Sequence, residues 1–159
     1  MITKIAQISD THLSNRKPLF DGNFAPVAEA LRDAKPDLVI HTGDLSLDGA
    51  DSEKDLRHGT AAMNAIDLDW MALPGNHDVG DDAVLGGRQP VTAERLARWD
   101  ACVGPLHFAR DIPGWRLIGL DSQGFPPIPR TAKPSRTPSP RPAPAASRCS
   151  STSPSPRKR

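Results

Sequence analysis

Three short stretches hold the residues that could do chemistry: Asp10-Thr11-His12, Gly43-Asp44 and Gly75-Asn76-His77-Asp78. They offer the carboxylates of Asp10 and Asp44, the imidazoles of His12 and His77, and the amide oxygen of Asn76. Oxygen and imidazole donors without a thiolate suit a divalent cation of the Mn, Fe, Zn or Mg type better than any other chemistry. Gly43 and Gly75 fit the same picture, because a residue without a Cβ lets the backbone turn sharply and approach an ion. Taken singly, Asp10 or Asp44 is equally well a turn or helix-capping residue after a strand. The case for metal rests on three such motifs in register.

That register follows from the elements between them. Each stretch ends a short apolar run, at residues 4–9, 37–42 and 69–74, and the steps from Asp10 to Asp44 and from Asp44 to Asn76 are 34 and 32 residues. One strand-helix-strand unit needs about 30 residues. Between the first two runs, Phe24, Val27, Ala28, Leu31 and Ala34 trace one face of a helix, closed by Lys35-Pro36. Between the second and third, Leu56, Gly59, Met63 and Ile66 repeat at helical spacing after a polar start at Asp51-Ser52-Glu53. The pattern predicts parallel strands buried in an α/β layer architecture. Equal steps return the chain to one edge of a parallel sheet, where ligands collect at the carboxyl ends of strands. The three motifs are therefore expected at a common mouth.

Beyond the third motif the chain predicts a Gly- and Asp-rich loop over 79–90 and a third helix from Thr92 to Ala101. Two strands follow, His107 to Arg110 and Trp115 to Leu120, joined as a hairpin at Pro113-Gly114. Without further chain to cover it, the second of these strands is an apolar edge and an aggregation hazard. Of the remaining histidines, His41 lies inside a strand two residues before Gly43 and is a candidate to line the site behind its ligands. His58 falls on the polar side of the second helix and reads as solvated; His107 reads as a strand-surface residue. Cys102 and Cys149 stand far apart, so neither CxxC chemistry nor a disulfide framework is expected, and Cys102 reads as a small core residue.

The chain of 159 residues divides by composition. Residues 1–124 carry 12 basic against 19 acidic side chains, net −7, whereas residues 125–159 carry 8 basic and none acidic. The whole-chain charge of +1 is a sum of opposites and says nothing about nucleic-acid or membrane partners. No apolar run is long enough to span a bilayer and the first residues lead directly into a strand pattern, so a cytoplasmic chain is expected. In residues 125–159, 10 of 35 residues are proline, 10 are Ser or Thr, and Ile128 is the sole aliphatic residue larger than alanine. Such a segment cannot bury enough apolar surface to offset its ordering, so disorder is expected. With no aromatic residue after Phe125, its charges are expected to bind polyanions without sequence preference. Pro, Arg and Ala are also what a GC-rich gene yields out of frame, and the tail reads as a frameshifted or truncated product more readily than as a natural one.

The stretches Ile8-Ser9-Asp10-Thr11-His12-Leu13, DLVIHTGDLSLDG at 37–49, and Leu73-Pro74-Gly75-Asn76-His77-Asp78 resemble the calcineurin-like metallophosphoesterases. Within that family they look like the cyclic nucleotide and glycerophosphodiester phosphodiesterase branch. The resemblance covers residues 3 to 123. It implies the family's α/β fold, a four-layer α/β/β/α sandwich of which this chain holds an incomplete part. It implies a hydrolase of phosphoester bonds, most readily a phosphodiesterase acting on a small molecule, with two divalent ions holding a hydroxide between them. Carried over by position, Asp10 and His12 are ligands of the first metal, Asp44 bridges both, and Asn76 binds the second through its amide oxygen. His77 is the catalytic residue at the substrate phosphate or the leaving oxygen. Two departures stand out. Leu47 occupies a place where the family often has Asp or Asn, with Asp48 one residue later, and no histidine follows His107, so four of seven expected ligands are present. Two alternatives therefore stay open: a catalytically defective fragment that binds metal weakly, and a phosphomonoesterase. The resemblance leaves oligomeric state open.

Overall fold

A computed structural model describes residues 2–81 and 89–124. The tail expected at 125–159, and most of the loop expected at 79–90, lie outside the described residues. Among the described residues, five strands and three of the four helices follow the predicted order, and a short helix, α3, is additional: β1 (Ile5–Ile8), α1 (Asp21–Ala34), β2 (Leu38–His41), α2 (Glu53–Asn64), β3 (Trp70–Ala72), α3 (Asn76–Val79), α4 (Ala93–Cys102), β4 (Phe108–Ile112) and β5 (Trp115–Gly119). The class is mixed α/β, built on a parallel sheet of order β1-β2-β3, with β4 and β5 forming an antiparallel pair.

Helix ends are set by local chemistry. Ser52 accepts a hydrogen bond from the Asp55 amide at the start of α2, and Thr92 does the same for Arg95 at the start of α4. Lys35 closes α1 in the left-handed conformation, with φ of 47° and its N–H bonded to the Leu31 carbonyl, and Pro36 prevents continuation. The apolar faces read from the sequence meet in one core: Phe24, Ala28 and Leu31 from α1, Val39 from β2, Leu56 and Met63 from α2, Ala72 from β3 and Trp99 from α4. Burying each large aliphatic side chain there contributes roughly 1.5–3 kcal/mol.

Strand burial departs from expectation. Only β2 is buried nearly throughout; β1 alternates between exposed and half-buried, because among the described residues it is an outer strand of the sheet. Trp115, Ile118 and Leu120 in and after β5 are exposed. The sheet register decides where the chemistry falls. Ile8 pairs with His41, and His41 with Ala72, so three strands end at one level and send their following loops to the same edge.

Candidate functional site

The first two loops are laced together beyond the strands. The Asp10 amide bonds the Gly43 carbonyl, His12 the Asp44 carbonyl and Leu13 the Leu45 carbonyl, each at 3.0 Å, and Leu47 returns a bond to Leu13. These bonds hold Asp10, His12 and Asp44 at φ of 57°, 47° and 55°. Left-handed backbone at non-glycine residues persists only where surrounding structure over-determines it, and such residues cluster at functional sites. The third loop reaches the second by close approach. A Cβ on Gly75 would collide with the Asp44 carboxylate and backbone nitrogen.

Asp78 fastens this junction. Fully buried, it accepts bonds from the amides of Leu45 (3.1 Å), Gly75 (2.9 Å) and Ser46 (2.8 Å) and from the Ser46 hydroxyl (2.6 Å). Burial pushes its carboxyl up to about 6, against the lowering effect of those four donors. The one-turn helix α3 exists because Asp78 folds back on Gly75; it has no apolar periodicity and cannot be read from spacing.

The result brings His12, Asp44 and His77 together, with one ligand atom from each lying within 4.8 Å of the others. Asp44 Oδ1 accepts the His77 amide at 2.9 Å, while Oδ2 stands 3.9 Å from His12 Nε2. Asp10 Oδ1 lies at the same 3.9 Å from His12 Nε2, on an exposed side chain outside the tighter group. Asn76 opens α3 one residue before His77 and is half-buried. The rings of His12 and His77 meet edge to face, their centroids 4.6 Å apart.

His77 Nδ1 lies 2.7 Å from the Leu47 carbonyl. A carbonyl only accepts, so Nδ1 carries the proton and Nε2 is left for a ligand or substrate. The departure at Leu47 thus has a physical reading: it is the main-chain carbonyl at this position that orients the imidazole. Asp48, one residue on, pairs with Lys17 at 2.6 Å.

The donor set fits a divalent cation. His12 Nδ1 is buried and has no hydrogen-bond partner among the described residues. The 3.9 Å separations exceed hydrogen bonding, yet two donors each about 2.1 Å from one ion lie up to about 4.2 Å apart. On the α1 side a cleft of about 260 Å3 is walled by Phe20, Phe24 and Val27 beside Asp10 and Thr11, and of the candidate donors Asp10 alone lines it.

The other histidines divide. His41 is fully buried, with Nε2 3.0 Å from the Thr11 hydroxyl, and burial pushes its imidazole down to about 4. His58 is not simply solvated: its Nε2 pairs with Asp21 at 2.6 Å, tying α2 to the start of α1. His107 is exposed and accepts the Asp121 amide at 2.9 Å, at the end of the β4–β5 hairpin. Sequence reading missed Asp78 as an organiser. Its signal was the closing Asp of Gly75-Asn76-His77-Asp78, a carboxylate with no ligand role to fill.

A family model described as calcineurin-like phosphoesterase matches residues 3–134. A probable glycerophosphodiester phosphodiesterase of Arcobacter nitrofigilis is 34% identical over 133 residues, covering 74% of this chain and 43% of its own length. A probable cyclic nucleotide phosphodiesterase of Synechococcus is 32% identical over 130 residues, covering 77% of this chain and 45% of its own. The chain spans less than half the length of the curated relatives it matches. With three motifs converging on one mouth and the family match extending over most of its residues, the chain belongs to the calcineurin-like phosphoesterase family.

Proposed function

We propose that this chain supplies metal-holding and catalytic residues for hydrolysis of small-molecule phosphodiesters. The observation that carries the reading is the convergence of His12, Asp44 and His77 at the carboxyl edge of the parallel sheet. Asp10, His12, Asp44 and Asn76 would hold divalent cations. Bound there, such ions supply Lewis-acid stabilisation of phosphoryl oxygens and a water acidic enough to attack at neutral pH.

The chain's own residues do the rest. His77, its Nδ1–H fixed on the Leu47 carbonyl, presents Nε2 to the phosphate or the leaving oxygen. As an imidazolium it donates a hydrogen bond or a proton to charge developing there. Asp44 accepts the His77 backbone amide, which ties the metal-holding carboxylate to the residue that would donate the proton. Diesters are favoured over monoesters because both relatives carry phosphodiesterase in their names.

Calorimetric titration of the 159-residue chain with Mn2+, beside a panel of chromogenic phosphodiesters and monoesters, tests the reading. Mn2+-stimulated turnover of diesters above monoesters is the expected result. A monoester preference replaces the substrate class, and weak binding without turnover reduces the chain to a metal-holding fragment. Absence of any Mn2+ binding overturns the proposal.

A further inference from the structure

We propose that His41 is a positioning residue of the metal centre, tying the loop that carries Asp10 and His12 to the loop that carries Asp44 through the Thr11 hydroxyl. The proposal rests on the metal-holding reading of those residues. It begins with a proton count. Thr11 Oγ1 lies 3.0 Å from the Leu45 carbonyl and 3.0 Å from His41 Nε2. The carbonyl only accepts, so the single hydroxyl proton goes to it, and His41 Nε2 must donate to the oxygen lone pair. His41 Nδ1 is then unprotonated and accepts the Gly43 amide at 3.4 Å. One neutral tautomer satisfies every group, whereas the other sets an N–H against the Gly43 N–H.

The bonds are placed where they matter. Thr11 stands between Asp10 and His12, both in left-handed backbone, and Gly43 precedes Asp44, which is also left-handed. The Leu45 carbonyl takes the Leu13 amide as well, so a single acceptor beside Asp44 receives the first loop twice. His41 is itself anchored from both sides by the sheet, its strand register fixed against Ile8 and Ala72 and its carbonyl bonded by the Leu73 amide. It thus transmits the rigidity of β2 to the donors above it. A merely satisfied core histidine would set stability but leave metal affinity untouched.

The experiment titrates Mn2+ into the 159-residue chain and into His41→Leu, His41→Gln, Thr11→Val and the His41→Leu/Thr11→Val double variant, with thermal melts alongside. Loss of a group that orients metal ligands typically costs about 10- to 100-fold in affinity, and that drop is expected for His41→Leu. His41→Gln, which keeps an N–H donor, recovers part of it. Because both side chains act through one bond, the double variant should bind no more weakly than the worse single one. Nitrogen NMR of the metal-free chain should show His41 protonated at Nε2 alone near neutral pH; this holds as a test even if His41→Leu does not fold. Unchanged affinity in His41→Leu, additive losses, or an Nδ1–H tautomer would each overturn the inference while leaving the metal reading intact. A wild-type chain that binds no Mn2+ removes both.

Discussion

Asp44 divides its two oxygens between two tasks, and this makes it the most informative side chain to change. Oδ1 holds the His77 amide, and Oδ2 faces His12 across 3.9 Å. In Asp44→Asn the retained amide oxygen still accepts from His77, and asparagine tolerates the left-handed φ of 55° better than most residues. Stability should therefore shift by no more than about 0.5 kcal/mol, the range of benign substitutions. Mn2+ affinity should fall by more than the roughly 10- to 100-fold typical of an outer partner, since a ligand charge is lost. Paired melting and titration measurements check this, and equal affinity in the two proteins would return Asp44 to the role of a simple turn residue. The candidate residues at this scale were legible in the sequence because Asp, His and Asn in three spaced motifs have few other reasons to coincide, and the fold brings His12, Asp44 and His77 together. His41 and Asp78 were harder to read, because their work is done on backbone amides and a hydroxyl brought near only by the folded loops.

At the scale of elements, the junction between the loops after β2 and β3 depends on close approach. Gly75 has an extended backbone, φ −103° and ψ −175°, which any residue can adopt. Its need for glycine is purely steric, since an added methyl would strike the Asp44 carboxylate and backbone. Gly75→Ala is expected to destabilise the chain by about 1–3 kcal/mol, the usual cost of overpacking, and to weaken Mn2+ binding with it. Gly22→Ala in α1 is the matched control. A methyl there meets nothing within 4 Å, and the change should be neutral or stabilising by up to about 1 kcal/mol. Chemical denaturation of both variants decides the matter; a Gly75→Ala chain as stable as Gly22→Ala would mean the approach is not tight. Helices α1, α2 and α4 and every strand were legible because apolar periodicity and capping residues mark elements of that length. The four-residue α3 was not, since it is held by one side-chain carboxylate. The exposure of β1 was also hidden, because alternation in four residues does not say which strands flank them.

Two buried ionisable groups, one at each side of the loop junction, give the whole molecule an opposed response to pH. Burial is the main reason His41 is pushed from 6.5 down to about 4; the charge of Asp10 pulls it back up and that of His12 pushes it further down. Between those values the unfolded chain binds a proton that the folded chain refuses, so this contribution is complete above pH 6.5 and is lost as pH falls toward 4. Asp78 runs the other way. Its carboxyl is pushed from 3.8 up to about 6, so between those values the folded chain keeps a proton that the unfolded chain has released. Its contribution is fully present below pH 3.8 and is lost as pH rises through 6. Each shift corresponds to about 3 kcal/mol at 1.36 kcal/mol for each unit. The windows overlap and the slopes oppose, so the stability of the metal-free wild-type chain from these two groups should be nearly level between pH 4 and 6. His41→Gln removes one slope and leaves the other. Relative to wild type, its stability should then fall with rising pH across that interval. Urea midpoints taken every half pH unit would show the divergence, and parallel profiles for the two proteins would mean that His41 is not held neutral by its burial.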